Sequence, residues 1–186
     1  GVVLGSGEGG GAFAGWLLRQ GEIAIHDART SWHDQMREAQ LLRLANVDLR
    51  VERIGGRFRF GLTAGAPAGV ASTIELRADV VSADPRDPQR WDGQVFVAVS
   101  GARLEGLTPW LDYAVPVSGA GDFEGWVEVV DGRPRSSTVD FAVSGFGARL
   151  HDSLPALEAE HARGRLHGME RPDGYAFDLS DFELVM

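Results

Sequence analysis

Gly5-Ser6-Gly7-Glu8-Gly9-Gly10 follows Val2-Val3-Leu4 and spells GxGxxG. Placed between a strand and a helix, such a loop cradles a pyrophosphate on its amides and the helix N-terminus, and Asp27 would then take the ribose hydroxyls. That chemistry needs further strand–helix alternation to build a parallel sheet, and no long amphipathic helix follows Gly21. Six of the seven residues from Gly5 to Gly11 are Gly or Ser, so the spacing arises easily without a nucleotide. His26-Asp27 and His33-Asp34 are two His-Asp pairs that could hold a metal, but no further ligands are supplied at helical spacing, and solvated strand-end residues are the better reading. His161 and His167 lack the i, i+4 arrangement of a zinc helix. Glu158 and Glu160 could do acid–base work on a sugar, although a charged stretch is more often a wet face. No GxSxG occurs and there is no cysteine, so neither a nucleophile elbow nor a thiolate is available. Trp16, Trp91, Trp110 and Trp126 stand at element starts or on apolar faces, which favours packing over carbohydrate stacking. No catalytic residue, cofactor or metal site is assigned.

The elements that would position these residues are mostly strands. Ala12 to Gln20 places Phe13, Trp16 and Leu17 at helical spacing before Gly21, and Thr108-Pro109-Trp110-Leu111 reads as an N-cap, a first-turn proline and a short helix reaching Tyr113. Elsewhere the period is two: Ile23 and Ile25; Leu42 and Leu44 with Val47, Leu49 and Val51; Phe58, Phe60 and Leu62; Ile74, Leu76, Ala78 and Val80. Trp91 to Val99, Trp126 to Val130, Val139 to Val143 and Tyr175 to Leu179 continue the pattern. Leu157 to Leu166 is compatible with helix or edge strand, and strand is preferred. Gly55-Gly56, Asp131-Gly132 and Pro172-Asp173-Gly174 are turn signals. The expectation is a mainly β chain of about nine strands and two short helices, largely antiparallel.

The chain has 186 residues, 44% apolar and 24% charged, enough for one unit with a real core. Its net charge of −9 comes from 27 acids against 18 bases, and every base is arginine. Scattered arginines on an acidic chain argue against nucleic acid as a partner. No apolar run approaches the roughly 18 residues of a membrane helix. The abrupt Gly1 and Met186 termini suggest an excerpt of something longer.

Trp16 to Asp34, WLLRQGEIAIHDARTSWHD, resembles the entry to the large conserved region of YhdP-type proteins, where a helix ends in WL-x-x-QG and a strand leads to a tryptophan and an acid. The resemblance continues through LLRLANVDLRVE, RFRFGLTAGAP, STIELRADV, WDGQVFVAV, LTPWLDY, GAGDFEGWVEV and LPALEAEHARGRL. It divides the chain into a glycine-rich lead-in, 1–14, and a family-like region, 15–186.

The resemblance implies the YhdP branch of the AsmA-like, bridge-like lipid-transfer proteins. Such a protein lies in the Gram-negative periplasm, anchored to the inner membrane by a segment outside this chain. Its curved sheet forms an open groove that carries phospholipid toward the outer membrane, beside neighbouring groove segments of the same full-length chain. A groove of this kind holds acyl chains at about 0.8 kcal/mol per buried CH₂ without a catalytic group. Ile74, Leu76, Val95, Val97, Val99, Val127, Val129, Phe141 and Val143 are the residues expected to face the acyl chains, with Gln94 and Asp140 turned away. Two other readings are a structural envelope domain with a closed dry core and a nucleotide-dependent oxidoreductase with a parallel sheet.

Overall fold

A computed structural model describes residues 20–32, 41–82, 87–109, 115–149, 151, 153 and 155–186. Nine strands follow one another: β1 (Glu22–Trp32), β2 (Leu42–Ile54), β3 (Arg57–Gly65), β4 (Thr73–Val81), β5 (Asp92–Arg103), β6 (Val117–Val130), β7 (Arg133–Ala148), β8 (Leu157–Arg171) and β9 (Gly174–Val185). They form one sheet in chain order, each strand antiparallel to the next. β1 and β9 are its two edges, so the sheet is open. Strand packing is confined to sequence neighbours, and no described element forms a second layer over the sheet.

The alternation in the sequence produces this ladder because residues two apart share a face and antiparallel neighbours pair side by side. Gly55-Gly56 closes the β2–β3 hairpin as expected. At Asp131-Gly132 both residues have positive φ, 50° and 69°, the backbone of a two-residue type I′ turn whose twist matches that of the strands.

Several strands skip one step in their apolar phase, and a bulge stands at the skip. Ile25 is followed on its face by Ala28, and Leu44 by Val47. In the same way Ala102 follows Val99, and Phe182 follows Leu179. The pairing shifts register at each of these places, and Asp27, Asn46, Gly101 and Asp181 there have φ between 49° and 60°. An extra residue bends the strand, increases its twist, and returns the following residues to the apolar side. Two of the bulges are capped alike: the Asp27 N–H donates to Asp48 Oδ1 at 3.3 Å, and the Gly101 N–H donates to Asp122 Oδ1 at 2.8 Å.

Dry packing is densest toward the strand ends, and Val47, Val51, Val143 and Ala162 are buried within their strands as well. At one end Phe58 and Val80 are each 1% exposed, with Trp91 stacked on Phe60 at 6.0 Å and Arg53 over the Phe58 ring at 5.4 Å. At the other, Ala64, Val70, Ala71, Ala102 and Leu104 are buried. There the loop after β3 meets the short helix α1 (Leu104–Leu107), and the Arg103 N–H donates to Val70 O at 2.8 Å.

Three expectations change. Thr108, read as an N-cap, instead ends α1 as its C-cap, with its hydroxyl 3.5 Å from Leu104 O, and Pro109 continues the turn. Residues 110–113 of the expected second helix, and 13–19 of the first, lie outside the described residues. Leu157 to Leu166 is strand, but β8 is interior, paired on both sides. β6 begins nine residues before the strand read at Trp126, because Gly119, Gly121 and Gly125 hide its period.

Replacing Asp122 by Ala leaves the Gly101 N–H without its acceptor. A loss of about 1 kcal/mol is expected from urea unfolding of the full-length protein, most of it recovered by Asp122→Asn.

Candidate functional site

The register carries one line of residues across the entire sheet. Ile25 pairs with Leu49, then Leu62, Leu76, Val97, Gly125, Val139, Leu166 and Leu179 follow in turn, one residue per strand. None of the nine is polar. At the usual spacing between strands the line is about 38 Å long. A parallel row runs Ile23, Val51, Phe60, Ala78, Val95, Val127, Ser137, Gly168 and Phe177, and another includes Ala64, Ile74, Val99, Phe123, Phe141 and Gly164. Glycines in these rows make room for rings: a Cβ on Gly164 would lie 3.1 Å from the Phe141 ring and 3.3 Å from that of Phe182.

All nine residues expected to face acyl chains fall on this one face. Leu76 and Val97 are in the central line, Val95 and Val127 in the second row, and Ile74, Val99 and Phe141 in the third. Val129 pairs with Gly93 beside Val80, and Val143 pairs with Gly121 and Ala162. Val143 is buried and the other eight are half-buried, as expected of a face whose floor is open between dry ends. Leu49, Leu62, Val139, Leu166 and Leu179 belong to the same face and had not been nominated, although their own period-two spacing carries the same signal.

The opposite face is polar. Gln94 pairs with Glu128, and Asp140 with Arg165, so both lie away from the apolar rows. Cross-strand ion pairs cover this side: Arg50 with Glu22 at 2.9 Å, Arg59 with Asp79 at 3.4 Å, and Arg163 with Glu183 at 2.7 Å. The best formed is bidentate, Arg165 Nε to Asp140 Oδ1 at 2.6 Å and Nη2 to Oδ2 at 2.7 Å. The Arg165 hydrogen bonds hold the Asp140 carboxyl below the usual aspartate range. Trp126 belongs to this face, 42% exposed, with Phe96 as its cross-strand partner at 5.2 Å. Its expected role in core packing reduces to this one ring contact at the surface. Trp91 does pack, on Phe60.

The other candidates are not gathered into a site. His26 Nδ1 lies 3.1 Å from Asp48 Oδ1, beside the bulge that Asp27 forms. His161 meets Ser144 and His167 meets Thr138, at 3.2 Å and 3.1 Å. Glu158 and Glu160 are exposed. Gly5 to Gly11, Trp16, His33, Asp34 and Trp110 lie outside the described residues. Among the described residues no three His, Cys, Asp or Glu side chains converge as for a metal, and no helix is long and apolar enough to cross a membrane. The described strands are antiparallel throughout, so they do not supply the parallel sheet that the nucleotide reading required.

Fold and surface of the described residues together define a class: an open, single-layer antiparallel sheet with one face apolar from edge to edge and the other ion-paired. A family model described as YhdP protein matches residues 3–186, and the chain belongs to the YhdP family. No curated protein and no solved structure matches it.

Two outcomes follow from the geometry. Because Asp140 has its folded pKa below the unfolded value of about 3.9, its stabilising contribution is full above that value and is lost as pH falls toward the folded pKa. Asp140→Asn should therefore narrow the difference in urea midpoint between pH 7 and pH 3, an effect weakened by salt because the pair is half-exposed. Val97→Asp puts a charge in the middle of the apolar line and should lower the thermal midpoint, whereas Gln94→Arg, between Asp79 and Glu128 on the other face, should leave it nearly unchanged.

Proposed function

We propose that this chain is a segment of a periplasmic lipid-transfer conduit that moves phospholipid between the inner and outer membranes without catalysing a reaction. The observation that carries this reading is the apolar line from Ile25 to Leu179, unbroken over nine strands and, among the described residues, covered by no second layer. A sheet face left open to water in this way needs an apolar occupant, and acyl chains lying across the strands supply one at about 0.8 kcal/mol per buried CH₂. Membership of the YhdP family supports the same reading.

The edges of β1 and β9, unpaired among the described strands, are where neighbouring groove segments of the full-length protein would continue the sheet. On β9, Tyr175, Phe177, Leu179 and Phe182 are 47–68% exposed, so a further strand there would extend the apolar floor as well as pair the backbone. Anchoring to the inner membrane belongs to a part of the protein outside this chain. The competing reading, a purely structural envelope domain, requires a closed dry core, whereas the central line from Leu49 to Leu166 is only half-buried among the described residues.

Photo-crosslinking in cells tests the proposal. A photoreactive residue at Val97 or Phe141 of the full-length protein should capture phospholipid, and one at Gln94 or Asp140 should not. Capture from the polar positions alone would reverse the face assignment, and capture from none would remove the conduit reading for this segment.

A further inference from the structure

The register rows of the apolar face carry no charge until the end formed by the hairpin turns. There Arg53 pairs with Phe58 and Glu170 with Tyr175. Glu170 continues the β8 row of Ala162, Gly164, Leu166 and Gly168, and Arg135 reaches it with Nη1 at 3.1 Å from Oε2. This pair forms one wall of a cleft of about 630 Å³, whose other polar lining is Gln89, Asp131 and Arg133.

The cleft is held in place from the groove side. The Gly132 N–H donates to Trp91 O at 2.9 Å and the Asp131 N–H to Asp92 Oδ1 at 2.9 Å, while Trp91 itself lies on Phe60 of the apolar face. The next row inward is Ser137, Gly168 and Phe177, so small and apolar residues connect the cleft to the central line. Two guanidiniums and two carboxylates make the cleft electrically balanced, with both signs within one headgroup's reach.

We propose that this cleft seats the headgroup of a zwitterionic phospholipid at the end of the groove. Arg133 and Arg135 would meet the phosphodiester, for which guanidinium is the best-matched side chain, and Glu170 and Asp131 would meet the ammonium. The proposal rests on the lipid-groove reading above and adds a headgroup class to it. A headgroup with a phosphate and no cation draws Arg135 from Glu170 and gives that carboxylate no replacement partner, so the cleft discriminates against it.

The test uses the full-length protein and vesicles of phosphatidylethanolamine, phosphatidylglycerol and diacylglycerol in equal amounts, with retained lipid measured by mass spectrometry. The wild type should be enriched in phosphatidylethanolamine over phosphatidylglycerol. Glu170→Gln should reduce that enrichment by about fivefold, the contribution of a partly exposed charge pair. Arg133→Gln should lower both phospholipids relative to diacylglycerol. An unchanged lipid ratio in both variants overturns the cleft and leaves the groove standing. Parallel loss of all three lipids in the variants marks a structural role and also overturns it. Loss of the enrichment when inorganic phosphate is added at the lipid concentration identifies a site for free phosphate, and the proposal falls. A wild type that retains no lipid removes the groove reading and the cleft with it.

Discussion

Antiparallel register is the constraint on which everything else in this sheet depends. With a side-chain period of two, a slip of one residue between any two strands would move an entire strand's apolar set to the polar face. The line from Ile25 to Leu179 therefore survives only because eight successive pairings all keep phase. The bulges belong to the same constraint. A long strand in a twisted sheet cannot remain in step indefinitely, and an inserted residue at Asp27, Asn46, Gly101 or Asp181 bends the strand and brings the apolar residues back to their side. Asp48 and Asp122 satisfy amides that two of these insertions take out of the ladder.

Charge is distributed by the same rule. Arginine and carboxylate side chains alternate across the polar face as cross-strand pairs, each weak in water, and none of the apolar rows admits one before the hairpin end. The asymmetry follows from desolvation: a charge among Leu62, Leu76 and Val97 would lose its water without gaining a partner, whereas Arg165 and Asp140 keep both. The Phe96–Trp126 pair is the aromatic interruption of the polar side, and Arg77, 5.9 Å from the Phe96 ring, covers part of it.

A single-layer sheet lacks the second layer that normally completes a core. Among the described residues, part of that layer is supplied at the strand ends, by Trp91 with Phe58 and Val80 on one side and by α1 with Val70 and Ala71 on the other. Between them lies a half-buried floor over which no described element is laid. Such a surface gains stability from whatever apolar molecule lies on it, so occupancy and stability are coupled by mass action.

The sequence by itself determined that the chain is β, where Gly55-Gly56, Asp131-Gly132 and Pro172-Asp173-Gly174 turn it, and which residues of each strand stand together, because those properties depend on local period and turn chemistry. The phase skip from Leu44 to Val47 was also legible, and it marks the Asn46 bulge. Family membership could be read from the order of the blocks from Trp16 onward. Other features required the tertiary structure. Glycines erase periodicity, so the first half of β6 was invisible, and the helical propensity of Leu157 to Leu166 concealed an interior strand. Period two places residues on a common face but cannot say which face of one strand continues which face of the next. That choice is made by backbone pairing between residues far apart in the chain. The same pairing joins the nominated valines into one floor and brings Arg133, Arg135 and Glu170 to a single cleft.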